Sequence, residues 1–105
     1  MIQHTMFVQF TEPIPDTDLN QYLADLEEAA RSTGVLQAFA TQRHVPVPGE
    51  EQIPAFIATA VVQLTAADLE ALGTLFAAPE VSEVFDTWRT RHPFKAAWAN
   101  HAALS

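Results

Sequence analysis

The sequence predicts an α+β domain in which a four-stranded antiparallel sheet carries helices on one face only. Three observations lead to this fold class. Residues 2–10 alternate as a strand does, later segments repeat apolar residues at helical spacing, and the two kinds of segment follow the order βαββαβ. With 105 residues, of which 49% are hydrophobic and 17% charged, we expect one domain over residues 1–105 with a modest core.

The first strand and the first helix have the clearest patterns. In the strand, residues 2–10, the even-numbered side chains, His4 among them, share one face. The helix is predicted to start at a cap, Asp16 or Thr17, and to run to about Ser32, after which a glycine ends it. The buried stripe of this helix has six members at helical spacing: Leu19, Tyr22, Leu23, Leu26, Ala29 and Ala30.

The middle of the chain predicts two more strands and a second helix. Residues 35–44 are polar enough for an edge strand, and a proline-rich loop follows them. Residues 55–64 are apolar on both faces, which suits a central strand. The second helix is predicted over residues 65–77, where Thr65 and Asp68 have nearly the spacing of a capping box.

A third helix is predicted from Pro79 to Arg91, because proline suits the first helical position. Acidic residues stand in its first turn and arginines in its last, as the helix dipole favours. Its apolar side chains follow the spacing i, i+3, i+4, i+7: Val81, Val84, Phe85 and Trp88. Residues 94–104 fit either a strand or a helix by local pattern. We predict a strand there, since the ferredoxin-like arrangement requires a fourth one.

This arrangement leaves one face of the sheet without helices. Phe7, Phe39, Ile57 and Val61 occupy odd-numbered positions of three predicted strands. Together they predict an exposed apolar patch on the order of several hundred Å² in a monomer. We therefore predict a homodimer in which the open sheet faces of two copies pair.

Composition excludes several classes of partner. The formal net charge is −8, with thirteen acidic and five basic residues, which disfavours binding to nucleic acids and anionic membranes. No apolar run reaches the roughly 18 residues of a membrane span, and the first residues lack the pattern of a secretion signal. There are no cysteines, so a disulfide scaffold and a thiolate metal site are excluded. We expect a cytoplasmic protein.

The first strand, MIQHTMFVQF, resembles the opening strand of the stress-responsive A/B barrel (Dabb) family of dimeric α/β barrels. That strand characteristically begins with Met-Ile, a basic or polar residue and His. Three later segments resemble family elements in the same order: GVL at 34–36, AVVQLTAADLEAL at 60–72, and the helix start at 79–85. The resemblance covers nearly the whole chain and implies a ferredoxin-like, dimeric α/β barrel.

Within that family, plant polyketide cyclases use a tyrosine and a histidine around the pattern Tyr-x-x-His-Pro-x-His. The matching positions here are Leu75, Ala78, Pro79 and Val81, so only the proline is shared. Leucine and valine neither donate nor accept protons. The cyclase mechanism therefore does not carry over, and no catalytic residue is assigned.

Three residues are candidates for ligand binding. His4 matches the family's first-strand histidine and is expected to face the helices, where an imidazole can orient a ligand or move a proton, or be a core residue with a satisfied hydrogen bond. Tyr22 could meet His4 across the gap between helix and sheet, whereas Trp88 lies in the stripe of the third helix; for both, packing in the core is the simpler interpretation. No metal and no cofactor is predicted, since no two histidines have ligand spacing.

Three functions are compatible with these patterns. The leading hypothesis is a small dimeric barrel of the stress-responsive type, either non-catalytic or binding a small hydrophobic or aromatic molecule between sheet and helices. The second is a cofactor-free cyclase-like or monooxygenase-like enzyme acting on an aromatic substrate. The third is a haem-binding protein, which would be favoured if Trp98 and His101 shared one face of the tail.

Overall fold

The computed structural model describes residues 1–102, and its elements have the predicted order. They are β1 (Ile2–Phe10), α1 (Asp16–Ser32), β2 (Leu36–Arg43), β3 (Ala60–Ala66), α2 (Leu69–Ala77), α3 (Pro79–Arg91) and β4 (Phe94–Ala102). One turn of 3-10 helix, Glu50–Gln52, lies in the loop between β2 and β3. The tail is a strand, as predicted; residues 103 and 104 of the predicted strand lie outside the described residues.

The four strands form one antiparallel sheet in the order β2-β3-β1-β4. The α+β, ferredoxin-like fold class is thereby confirmed. β1 and β3 are the central strands, while β2 and β4 form the edges. No helix within residues 1–102 combines the length and the apolar character needed to cross a membrane.

The core lies between the sheet and the three helices. Even-numbered residues of β1 and β3 face it, among them Met6, Val8, Val62 and Leu64, all buried. The helices contribute the predicted stripe of α1 together with six further side chains that are buried or packed against the core: Leu75, Phe76, Val81, Val84, Phe85 and Trp88. Burying each large apolar side chain contributes roughly 1.5–3 kcal/mol, so this layer supplies most of the favourable free energy of folding.

The first two helices start differently from the prediction. The N-cap of α1 is Pro15, whose side chain cannot accept a hydrogen bond, and Asp16 is already helical. The N-cap of α2 is Asp68, whose Oδ1 accepts the backbone N–H of Ala71 at 2.8 Å. Thr65 is not a cap, because it lies in β3 opposite Gln3. The predicted caps were therefore wrong, although both helices exist.

β3 begins at Ala60 rather than at residue 55. The strand ladder with β1 stops at the pair Val8 and Ala60. Beyond it, the N–H of Phe10 donates to the side-chain hydroxyl of Thr59 at 3.1 Å, which takes the place of a ladder bond. Residues 55–59 are therefore loop, and Ile57 stands outside the strand to which it was assigned.

The open face of the sheet is less apolar than predicted. Phe7 and Val61 are paired on it, and Phe7 is 41% exposed. Phe39 is not on this face, because an irregularity between Leu36 and Ala38 inserts one extra residue in β2 and puts Phe39 opposite Leu64, which faces the helices. The other residues of this face are mostly small or polar: Gln3, Thr5, Gln63, Ala38, Ala40, Ala97, Ala99 and His101.

Candidate functional site

A cleft of about 500 Å³ lies on the helix side of the sheet, between α3 and the edge strand β4. Its wall on β4 is formed by alternate residues, Phe94, Ala96, Trp98 and Asn100. The other lining residues come from β1, α2 and α3: His4, Met6, Phe76, Ser82, Phe85, Asp86 and Arg89. We call this space the His4 cleft.

The cleft exists because the helices do not cover β4 completely. Phe94 is the one buried residue of that strand, and the next eight are exposed. Trp98 faces the helix side, opposite Met6, yet 61% of its surface is exposed. A large aromatic side chain on the covered side of a sheet is thus left in contact with solvent, which is a typical feature of a ligand wall.

His4 is held at the floor of the cleft by Asn100, its direct neighbour across the strands. Its Nδ1–H donates to the Oδ1 of Asn100 at 2.7 Å. The proton of the neutral ring is therefore on Nδ1, and Nε2 carries a lone pair. Nε2 makes no hydrogen bond within residues 1–102 and is not among the fully enclosed polar atoms, so it is reached from the cleft.

The protonation equilibrium of His4 favours the neutral form. Burial lowers the pKa of His4 below its ordinary value of 6.5, and the hydrogen bond to Asn100 opposes part of this shift. Near neutral pH the imidazole is therefore uncharged, and its Nε2 is a base and a hydrogen-bond acceptor.

Aromatic rings surround the imidazole of His4. The ring of Phe76 lies edge-on at 4.6 Å between centroids, and that of Trp98 is tilted at 5.2 Å. Toward the other end of the cleft, the guanidinium carbon of Arg89 lies 4.6 Å from the ring centroid of Phe94. The cleft thus combines apolar walls with a base at one end and a cation at the other.

Tyr22 and Trp88 do not line the His4 cleft. Tyr22 is completely buried, with its ring 5.9 Å from Phe10 and 5.7 Å from Trp88. Tyr22 thus packs at the Phe10 end of β1, six residues from His4. The expected contact between Tyr22 and His4 is therefore not formed. Trp88 is buried as well, and its indole N–H donates to Asp25 at 3.0 Å.

The remaining histidines are engaged elsewhere. Nε2 of His44 lies 2.5 Å from a carboxylate oxygen of Glu50, and Nε2 of His92 lies 2.9 Å from Asp18. His101 contacts the hydroxyl of Thr5 at 2.8 Å on the open face of the sheet. Trp98 is on the opposite face, so these two residues form no common pocket of the kind the haem hypothesis needed. Within residues 1–102 no group of three potential ligands is arranged to hold a metal ion.

The two positions that would carry the cyclase tyrosine and histidine are part of the core. Leu75 and Val81 are almost completely buried where α2 meets α3. Between the two helices Ala78 is extended, as expected for a residue before proline, and Pro79 starts α3. This corner therefore supports packing.

The sequence did not identify Asn100, Ser82, Asp86 or Arg89 as residues near His4. For Asn100 a signal was present, because the alternation of β4 places it on the face of Phe94 and Trp98. Its pairing with His4 depends on the antiparallel register of β1 and β4, which a single sequence does not reveal. The three residues of α3 are polar positions of an amphipathic helix, and nothing in their pattern distinguishes them from solvated ones.

No family model and no curated protein matches this chain. The similarity is to solved structures. A protein of Arabidopsis thaliana superposes with a TM-score of 0.80 at 14% identity, covering 100% of this chain and 97% of that chain. A Dabb family protein with a ferredoxin-like fold, from Mesorhizobium loti, gives 0.72 at 17% identity and covers 99% of this chain and 97% of its own. This chain has the ferredoxin-like fold of a Dabb protein.

Other neighbours with this fold include a protein of unknown function and an enzyme. A dimeric ferredoxin-like protein of unknown function from Thermobifida fusca has a TM-score of 0.74 at 9% identity, covering 97% of this chain and 90% of that chain. A cofactor-independent oxygenase from Streptomyces nogalater has a TM-score of 0.70 at 12% identity, covering 98% and 94%. The resemblance to the Dabb family is thus supported by structure, and at these identities the likeness shows the fold alone.

Proposed function

We propose that this chain binds a small hydrophobic, aromatic molecule in the His4 cleft and that Nε2 of His4 accepts a hydrogen bond from a hydroxyl group of that molecule. The main support for this proposal is the arrangement of His4. One ring nitrogen is fixed by Asn100 at 2.7 Å, while the other opens into a cleft with aromatic walls. Most buried polar side-chain atoms have a hydrogen-bond partner inside the protein, whereas Nε2 of His4 has none within residues 1–102.

The size and lining of the cleft suit such a ligand. Its volume of about 500 Å³ lies within the roughly 300–1,000 Å³ common for small-molecule sites. Phe76 and Trp98 offer edges and faces against which an aromatic ring can pack. Because the walls are mostly apolar, the polar groups of His4, Asn100 and Arg89 would set the orientation of the ligand.

A pair of matched probes tests this proposal. 2-Naphthol has a hydroxyl donor, and 2-methoxynaphthalene has the same rings without it. We expect equilibrium dialysis to show that 2-naphthol binds more tightly and that His4→Phe removes the difference, a loss of about three- to tenfold for one hydrogen bond. His44→Gln, on a distant loop, should leave both affinities unchanged. Equal loss of both probes in His4→Phe, or none, would refute the role of His4 as an acceptor.

The second candidate function is cofactor-free proton transfer. It is favoured by the lowered pKa of His4 together with the fixed position of its Nδ1–H, since a general base must be neutral and oriented. In such a step Nε2 takes a proton from an acidic O–H or C–H of the substrate. The electron pair stays on the substrate as an anion, and the imidazolium is stabilised by Asn100. Exchange of a carbon-bound substrate proton with deuterated solvent, lost in His4→Phe, would distinguish catalysis from binding alone.

We also propose that the chain forms a homodimer through its open sheet face. Phe7 and Val61 are exposed there beside small side chains that allow two sheets to approach closely. A dimeric neighbour with this fold supports the assembly. Light scattering should give about twice the chain mass of 11.5 kDa, and Phe7→Glu should reduce it to one copy. A single-copy mass for the unaltered protein at micromolar concentration would exclude the dimer.

A further inference from the structure

We propose that the ligand of the His4 cleft carries an acidic group and that Arg89 binds this group as an anion. The inference rests on the proposed ligand-binding function and adds the chemical class of the ligand: an aromatic body with one negatively charged group, such as a carboxylate, phenolate or sulfonate. Arg89 is then a specificity-determining residue.

The position of Arg89 is fixed by an aromatic contact. Its guanidinium carbon lies 4.6 Å from the ring centroid of Phe94, and Phe94 is itself buried at the start of β4. A guanidinium group stacked on a ring keeps the N–H donors along its edge available for oxygen atoms. The stacking thus orients Arg89 as a donor for a planar anion in the cleft.

The guanidinium group of Arg89 has no ion-pair partner inside the part of the chain that the structure describes. Within residues 1–102 the side chain of Arg89 makes no hydrogen bond and has no carboxylate at ion-pair distance, although Asp86 lines the cleft one turn earlier. Arg31, by contrast, pairs with Glu27 at 2.8 Å, whereas Arg91 stacks on Trp88 at 4.3 Å in the way that Arg89 stacks on Phe94, but does not line the cleft. A cation left without a counter-ion beside an apolar wall is a ready partner for an anionic ligand.

The cleft separates this cation from the base. Phe94 pairs with Phe10 and Asn100 with His4, so the two ends are six strand residues apart, or roughly 20 Å of backbone. The stretch between them is lined by Ala96 and Trp98, with no charged side chain on the cleft face of the strand. An elongated ligand with its anion at Arg89 and its rings toward Trp98 fits this order of groups.

The overall charge of the protein gives Arg89 a selective effect. At a net charge of −8 the surface repels anions in general. The favourable electrostatic interaction of an anionic ligand at this cleft therefore comes from Arg89. Arg89 is exposed at the rim of the cleft, and a charge-assisted hydrogen bond from its guanidinium group to an anion is stronger than a hydrogen bond between neutral groups. A neutral ligand of the same shape forms no ion pair with the guanidinium group.

Two fluorescent probes with one framework test the inference. 8-Anilinonaphthalene-1-sulfonate is an anion, and N-phenyl-1-naphthylamine is the same molecule without the sulfonate. We expect Arg89→Gln to weaken binding of the sulfonate about tenfold and of the neutral probe less than twofold. Arg91→Gln is the matched control on the same helix and should change neither. Added salt should weaken the sulfonate in the unaltered protein and have little effect in Arg89→Gln.

Trp98→Ala separates the inference from the proposed function. This exposed side chain forms the apolar wall of the cleft, so both probes should bind less tightly in the variant, while its circular dichroism spectrum stays unchanged. If Trp98→Ala weakens binding of both probes and Arg89→Gln weakens binding of neither or of both equally, the anionic ligand class is wrong, and the His4 cleft remains the proposed binding site. If Trp98→Ala changes neither probe, the cleft is not the binding site, and both the proposed function and the inference fail.

Discussion

Two groups of aromatic rings lie along β1, one near each end, and they differ in access to solvent. The core cluster is Phe10, Tyr22, Trp88 and Phe94, with ring centroids 5.4–5.9 Å apart. The cleft cluster is His4, Phe76 and Trp98. Each contains a polar atom without a hydrogen-bond partner in residues 1–102: the hydroxyl of Tyr22 in the first and Nε2 of His4 in the second. The hydroxyl of Tyr22 is sealed from solvent, whereas Nε2 of His4 opens into the cleft.

The difference follows from how far the helices reach over the sheet. α1 and α3 meet above the core cluster, and the bond from Trp88 to Asp25 joins them. In the part of the chain that the structure describes, no helix covers Trp98, which is 61% exposed at the outer edge of the sheet. The same kind of polar atom therefore reduces stability at one end and is available to a ligand at the other. Access, rather than residue type, decides which aromatic cluster is a candidate site.

The largest expected contrast is between the two tryptophans. Trp88→Ala removes a buried indole and should lower the free energy of unfolding by about 3–5 kcal/mol. Trp98→Ala removes an exposed ring and should lower it by less than about 1 kcal/mol. Chemical denaturation of both variants measures the difference. Similar losses would mean that Trp98 is also covered in solution, and the contrast between the clusters would disappear.

Tyr22→Phe should increase the free energy of unfolding by about 1 kcal/mol. Among the described residues the enclosed hydroxyl of Tyr22 has no partner, and such a group costs roughly 1–3 kcal/mol of desolvation. Burial also raises the pKa of Tyr22 well above its ordinary value of 10, with the charge of Arg89 opposing the shift, so the group stays neutral. Phenylalanine keeps the ring and removes the hydroxyl.

A loss of stability in Tyr22→Phe would show that the hydroxyl has a partner, such as an ordered water molecule. Probe binding is the control here. Because Tyr22 does not line the His4 cleft, the variant should bind 2-naphthol as the unaltered protein does. A change in that affinity would show that a substitution in the core cluster affects the His4 cleft.

Much of this contrast was not predictable from the sequence. The alternation of β1 and the stripe of α1 predicted that His4 and Tyr22 both face the core side, and the structure confirms it. How far apart they are depends on where α1 crosses the sheet, which no local pattern encodes. Phe39 shows a second limit. Odd-numbered strand residues were predicted to lie on the open face, but one extra residue in β2 shifts the alternation, so Phe39 faces the helices.

The boundaries of β3 were mispredicted for a related reason. A segment that is apolar on both faces has no alternation to fix its register. Its limits are set by partners, Ile2 opposite Ala66 at one end and the hydroxyl of Thr59 at the other. The site could not be predicted for the same reason, since Asn100 is brought to His4 only by the register of β4 against β1.

Below pH 6.5 the cleft cluster should respond to pH, whereas the core cluster should not, because Tyr22 stays neutral there. The pKa of His4 is lowered in the folded state, so between that pKa and 6.5 the unfolded chain binds more protons. The stability contributed by neutral His4 is therefore fully present above pH 6.5 and is lost as pH falls through the folded pKa. His4→Gln should flatten this part of the curve relative to the unaltered protein. Binding of 2-naphthol should weaken over the same range, because protonated Nε2 no longer accepts.

The smallest effect concerns the orientation of His4. The hydrogen bond to Asn100 raises the pKa of His4 and thus opposes the effect of burial, so Asn100→Ala should lower that pKa further. Nitrogen-15 NMR of the imidazole should also show the neutral proton on Nδ1 in the unaltered protein and a mixture of tautomers in the variant. Since Asn100 is exposed, stability should change by less than about 1 kcal/mol. A pKa that rises in Asn100→Ala would mean that Asn100 presents its amide N–H₂ to the ring. Nε2 would then carry the proton, and His4 would donate to the ligand instead of accepting from it.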